Sequence, residues 1–169
     1  MNRNEMNKQT KLSHHFSLGE LCKTSVNSLD GNIPSREVIE NLKRLCPWLE
    51  GLRYTYNSLY CLKPGEDYET SKNVEPVIIT SGYRSPEVNR AVGGAYSSNH
   101  LTGCAVDIRC VGVEQAIRYA AILLDIADER KEEFDELLIE RNRHGRYWVH
   151  FAVRPPKEGN RRKTSFILA

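Results

Sequence analysis

The hydrophobic pattern separates the chain into helical and strand-like stretches. Apolar side chains recur at helical spacing through Val38, Leu42, Leu45, Leu49, Leu52 and Tyr56. Pro34 suits the start of this helix, and Pro47 must either kink it or begin a second one. Upstream, HFSLGELCKTS reads as a short helix, with Ser17 as N-cap and Glu20 as its capping-box partner. VIIT, at 77–80, is short and β-branched, hence a buried strand. Ser85-Pro86-Glu87 opens a helix, Ser as cap and Pro at the first helical position, which ends near Gly93-Gly94. In CAVDIRC, Cys104, Val106, Ile108 and Cys110 share one face while Ala105, Asp107 and Arg109 share the other. Residues 113–128 form an amphipathic helix. FDELLIE and YWVHFAV read as two strands joined by RNRHGR. On the second, Trp148, His150 and Ala152 face one way, and Tyr147, Val149, Phe151 and Val153 the other.

Helices come first, then strands mixed with helices, then an antiparallel pair. That order predicts an α+β fold with a small antiparallel sheet flanked by helices, not a doubly wound sheet. Residues 1–14 read as a disordered leader, 15–154 as a single domain and 155–169 as a basic C-terminal tail; 61–75 form a polar loop.

Composition changes this picture little. At 169 residues, 40% hydrophobic and 27% charged, the chain is that of one globular domain with a real core. No apolar run approaches the roughly 20 residues of a membrane helix. The polar start, MNRNEMNKQTKLSHHF, lacks the apolar core of a secretory signal, so cytoplasmic synthesis is expected. The five cysteines, Cys22, Cys46, Cys61, Cys104 and Cys110, have no zinc-ribbon spacing and read as reduced, mostly buried thiols. A Cys104–Cys110 pair could serve redox or metal chemistry, but both lie on the apolar side of their strand.

Net charge is +2, too small to demand a polyanion, though unevenly spread. From Arg141 onward eight Lys and Arg face one acid, Glu158, a net of +7 that leaves −5 for residues 1–140. Such a segment could hold an anionic polymer such as cell wall, or nucleic acid; a solvated tail after Pro155-Pro156 is the plainer reading. With no helix-turn-helix, zinc-finger spacing or aromatic platform, no nucleic-acid partner is expected.

The chemistry concentrates in SSNHLTGCAVDIRC, 97–110, and WVHF, 148–151. These supply His100, Asp107 and His150, two imidazoles and a carboxylate, a ligand set for a catalytic zinc ion with one position left open. Gly103 lies between the first two and permits a tight entry into the strand. Taken alone, a His and an Asp seven residues apart mean little, and a His in an apolar strand is more often a core histidine.

The wider pattern changes that reading. SGYRS, then SNHLTGCAVD, then WVH resembles the zinc D,D- and L,D-peptidases of the M15 class, which share the hedgehog/D,D-peptidase fold. FSLGEL, PSREVIENLKRL and FDELLIE also resemble the small phage- and prophage-type members. The ordered motif is Ser98, His100, Gly103 and Asp107. The resemblance implies zinc bound by His100, Asp107 and His150, and hydrolysis of peptidoglycan stem peptides by a monomer. It implies that Arg84 polarises the scissile carbonyl or binds substrate charge, and that Ser98 lies close to the substrate. The plainer readings are a loop-packing Arg84 and a loop hydrogen bond from Ser98.

The general base departs from the family. Many relatives place an acid or His three residues before the last ligand, where this chain has Tyr147, a poor base at neutral pH. Glu140, ending the FDELLIE strand on the face of Leu138, is the first candidate, and small phage-type relatives tend to have an acid there. His144, in the RNRHGR turn, is the second. A surface Glu140 paired with an arginine and a solvated His144 are the alternatives. The missing acid also admits a second class of function, a zinc-containing binding module that has lost catalysis.

Overall fold

The structure, a computed structural model, describes residues 7–168. Helix α1 (Leu18–Leu21) carries the expected capping box: Ser17 accepts from the Glu20 amide, and the Glu20 carboxylate accepts from the Ser17 amide. Helix α2 (Arg36–Tyr60) starts from Ser35, whose hydroxyl accepts from the Val38 amide, so Pro34 stands just outside the cap. Pro47 does not begin a second helix. It lies inside α2 on the exposed side, where Lys43 is also exposed, so the carbonyl it leaves without a donor can face water. The six apolar residues at helical spacing are all buried.

Strand β1 (Ile79–Ser81) leads to α3 (Pro86–Ala91), capped by Ser85. A 3-10 turn (Asn99–Thr102) precedes β2 (Ala105–Cys110), followed by α4 (Gly112–Arg130). Strands β3 (Glu136–Arg141) and β4 (Tyr147–Ala152) form the expected hairpin. The class is α+β, as expected. The sheet, however, is mixed and five-stranded, ordered β1-β2-β4-β3-β5. The first four strands pair antiparallel, and β5 (Lys163–Leu168) adds parallel to β3.

Within the stretch read as a basic tail, 155–169, lies strand β5, paired to β3 with all six side chains exposed. Asn160 and Arg154 exchange two hydrogen bonds that hold the turn, and the Arg162 and Lys163 amides donate to Phe134 and Asp135 carbonyls. The expected disordered leader also differs where it is described: Thr10 and Lys8 carbonyls accept from the Leu18 and Gly19 amides. Residues 1–6 lie outside the described residues.

One face of the sheet is apolar. Val106, Ile108, Leu137, Val149 and Phe151 pack beneath α2 and α4, with Trp48 against Phe151 at 5.1 Å between ring centroids. Cys22, Cys46, Cys104 and Cys110 are buried free thiols, as expected, and Cys61 is half-buried. Burial pushes Cys22 and Cys110 up to about 12 and Cys46 to about 11, so they pack as neutral groups. Among the described residues no helix is long and apolar enough to cross a membrane. The core fills one side of the sheet and leaves the other for chemistry.

Candidate metal centre

The register of the strands builds the open face row by row. Asp107 of β2 pairs with His150 of β4, which pairs with Leu138 of β3. Toward one end the row is Arg109, Trp148 and Glu140; toward the other it is Ala105, Ala152 and Glu136. Because side chains alternate, all these residues point to the face opposite the core.

His100 arrives from the 3-10 turn. The Ser98 hydroxyl caps that turn by accepting from the His100 amide at 3.3 Å, and the His100 carbonyl accepts from the Arg84 amide. Gly103 closes it in the left-handed region, at φ 71°, where a Cβ would stand 2.8 Å from Val38. Gly82 makes a still closer approach, since a Cβ there would stand 2.1 Å from the Leu21 carbonyl oxygen. The Gly82 carbonyl faces His100 Nδ1 at 2.7 Å. It can only accept, so Nδ1 carries the proton and Nε2 is left with its lone pair.

His100 Nε2 stands 3.3 Å from Asp107 Oδ1, and His150 Nδ1 stands 2.9 Å from the same oxygen. All three residues are buried, and one potential ligand atom from each lies within 4.8 Å of the others. Two imidazoles and one carboxylate, converging in a buried spot with the His100 tautomer fixed outward, fit a divalent metal ion.

Surrounding groups set the charge. Burial alone would raise Asp107, but the His100 and His150 imidazoles outweigh it and hold the carboxyl well below its usual range. Arg84 Nη2 donates to Asp107 Oδ2 at 2.6 Å, and its Nε donates to Ser81 Oγ at 2.8 Å. Arg84 therefore reaches the cluster, where its first effect is to orient the carboxylate. Its Nη1 has no hydrogen-bond partner among the described residues.

Glu140 and Glu136 flank His150 with opposite character. Burial pushes Glu140 up, with the His150 charge opposing and the Asp107 charge adding. It makes no ion pair among the described residues. Glu136 Oε2 stands 3.3 Å from His150 Nε2, and that bond brings Glu136 down to about 2 against its own burial. Sequence reasoning missed Glu136. Strand alternation puts it on the same face as Glu140, but choosing between them requires the hairpin register.

Behind Glu136 lies an ionic network. Asn99, next to His100, donates to Asp135 at 2.7 Å and to Glu136 at 3.1 Å. The fully buried Asp135 also takes Arg161 at 2.7 Å and Arg154 at 3.1 Å. So the C-terminal segment, read from sequence as solvated, is tied through Arg161 to the residues beside both histidines. His144 is exposed in the β3–β4 turn beside Arg143, and none of its hydrogen bonds among the described residues reaches the cluster.

The Peptidase M15 family model matches residues 66–151, just over half of the chain. The chain belongs to the Peptidase M15 family. The matched span holds all three candidate ligands of this M15 peptidase, with Arg84, Ser98, Glu136 and Glu140, and leaves α1, α2 and β5 outside it. No curated protein matches it.

Proposed function

We propose that this M15 peptidase is a zinc enzyme that hydrolyses peptidoglycan stem peptides, at a D-Ala-D-Ala or an L-Ala-D-Glu bond. The observation that carries the reading is the convergence of His100, Asp107 and His150 within the family-matched span. Their donor set suits zinc, and zinc when bound supplies Lewis acidity at the scissile carbonyl.

The chain's own groups complete the chemistry. Glu140 is the general base: its carboxylate, raised by burial and free of ion pairs among the described residues, takes the proton of the attacking water and returns it to the leaving amine. Glu136 is the poorer base, because its bonds to His150 and Arg161 commit it to the anionic form. It orients His150 instead. Arg84 holds Asp107 and offers Nη1 to the developing oxyanion. Ser98 sets the turn that presents His100, and the family resemblance puts it close to the substrate. His144 is the alternative base. The resemblance to small phage-type members supports a role in cell lysis.

The test is mass spectrometry of defined muropeptides incubated with the zinc-loaded protein and with the chelated protein. New amines should appear only with metal. No product from any peptidoglycan chemotype at full zinc occupancy would overturn the proposal.

A second reading, a zinc-containing binding module without catalysis, rests on Tyr147. Its ring lies 6.4 Å from Phe166, near parallel, and under Arg141, in packing rather than acid–base surroundings. Metal-dependent binding of intact peptidoglycan without hydrolysis would favour it.

A further inference from the structure

Two neighbouring cavities lie at the Trp148 end of the sheet, and the first reaches Asp107. The first, about 230 Å³, is lined by Thr80, Asp107, Arg109, Arg146, Tyr147 and Trp148. The second, about 460 Å³, shares Arg109, Arg146 and Tyr147 with the first and continues past Gly112 and Gly145. Sharing these three residues, the two cavities line a groove that starts at Asp107.

Its two cations are placed by the fold. Arg109 stands two residues beyond Asp107 on the same face of β2, opposite Trp148. Arg146 closes the β3–β4 turn, where its amide donates to the Asn142 side chain at 3.0 Å. The arginines nearest the cluster and its ionic network are engaged: Arg84 by Asp107, and Arg154 and Arg161 by Asp135. Among the described residues, Arg109 and Arg146 have no ion-pair partner. Asp107 does not neutralise them, because Arg84 and both imidazoles already hold its oxygens.

We propose that this groove is an anion subsite, in which Arg109 and Arg146 receive a free carboxylate of the peptide substrate. A guanidinium donates two parallel N–H groups to a carboxylate, and two unpaired guanidiniums at one small cavity match a single carboxylate rather than a polyanion. Trp148 gives the cavity an apolar wall for the chain that carries the charge. The inference rests on the peptidase reading for the identity of the substrate, and on the cavity and its cations for the subsite. It makes the enzyme selective for acidic peptides whose carboxylate lies close to the scissile bond.

The test uses three peptides: L-Ala-γ-D-Glu-L-Lys-D-Ala-D-Ala with free carboxylates, and the same peptide amidated at either the glutamyl α-carboxyl or the C-terminus. Binding to the zinc-loaded full chain is read by calorimetry, and hydrolysis separately by amine release. One amidation should weaken binding roughly tenfold, less at high salt. The doubly substituted Arg109→Gln/Arg146→Gln protein should lose that discrimination. Arg143→Gln, which removes the same charge from the same turn, should keep it. Equal binding of all three peptides, binding of none, or full discrimination by the double variant overturns the subsite. Discrimination without hydrolysis by the wild-type protein leaves the subsite standing and overturns the peptidase reading alone.

Discussion

Glu136 Oε2 lies 3.3 Å from His150 Nε2, on the side of the ring away from Asp107. One imidazole is thereby held between two carboxylates, each fixing one nitrogen. Replacing Glu136 by Gln keeps the shape and removes the charge that orients the ring. Metal affinity should fall by about 10–100-fold, as for other residues behind a metal ligand. Competition with a metal indicator measures this directly, and an unchanged dissociation constant would show that Glu136 does not position His150.

The same arrangement predicts a pH profile for the metal-free fold. Burial would lower His150, but its bonds to Asp107 and Glu136 raise it from 6.5 to about 9. The stability this contributes is complete below about pH 6.5 and is lost as pH rises through about 9. Glu136, lowered from 4.5 to about 2, contributes stability that is complete above about pH 4.5 and is lost as pH falls toward 2. Thermal melts in chelator should therefore peak between about pH 4.5 and 6.5. Metal uptake must displace the proton that His150 shares with Asp107, so metal affinity should rise with pH up to about 9. Melts with and without zinc across pH check both trends; parallel curves would contradict them.

Glu140→Gln separates catalysis from ligation. The variant should bind metal as the native protein does and lose about 10²–10⁴-fold in kcat. His144→Ala, which alters an exposed turn residue, should change kcat little. The reverse ranking in steady-state kinetics would move the proton acceptor to His144.

Two glycines are fixed by close contact. Gly82→Ala places a methyl 2.1 Å from the Leu21 carbonyl oxygen, and Gly103→Ala combines a 2.8 Å approach to Val38 with a φ of 71°. Each supports His100, so the damage should reach the candidate metal centre as well as the fold. A loss of at least about 1–3 kcal/mol in urea unfolding is expected for Gly103→Ala, and more for Gly82→Ala, whose neighbour is backbone. Native stability in either variant would mean that the backbone yields there easily.

Much of the centre was legible because strands alternate. The period in CAVDIRC puts Asp107 on the face away from the core, and that in YWVHFAV separates His150 from Val149 and Phe151, without any knowledge of pairing. The Ser17 and Ser85 caps were legible because capping is local. What was not legible depends on contacts distant in sequence. Whether Glu136 or Glu140 bonds His150 follows from the hairpin register, and the six-residue connection RNRHGR leaves that open. Strand β5 was hidden because a parallel partner reached through a crossover leaves no local mark, and basic residues beside Pro155-Pro156 resemble a solvated end. Of the two readings of Pro47, the second helix fails because helix-breaking is a local tendency, which the buried face of α2 overrides.

Asp107 and His150 meet only through the pairing of β2 with β4, 43 residues apart in the chain. A slip of one residue would send His150 to the apolar side and leave Asp107 facing Val149. Capture of an ion by these residues would therefore act as a proofreading step for strand register: a chain that has paired its central strands wrongly has no place to put it.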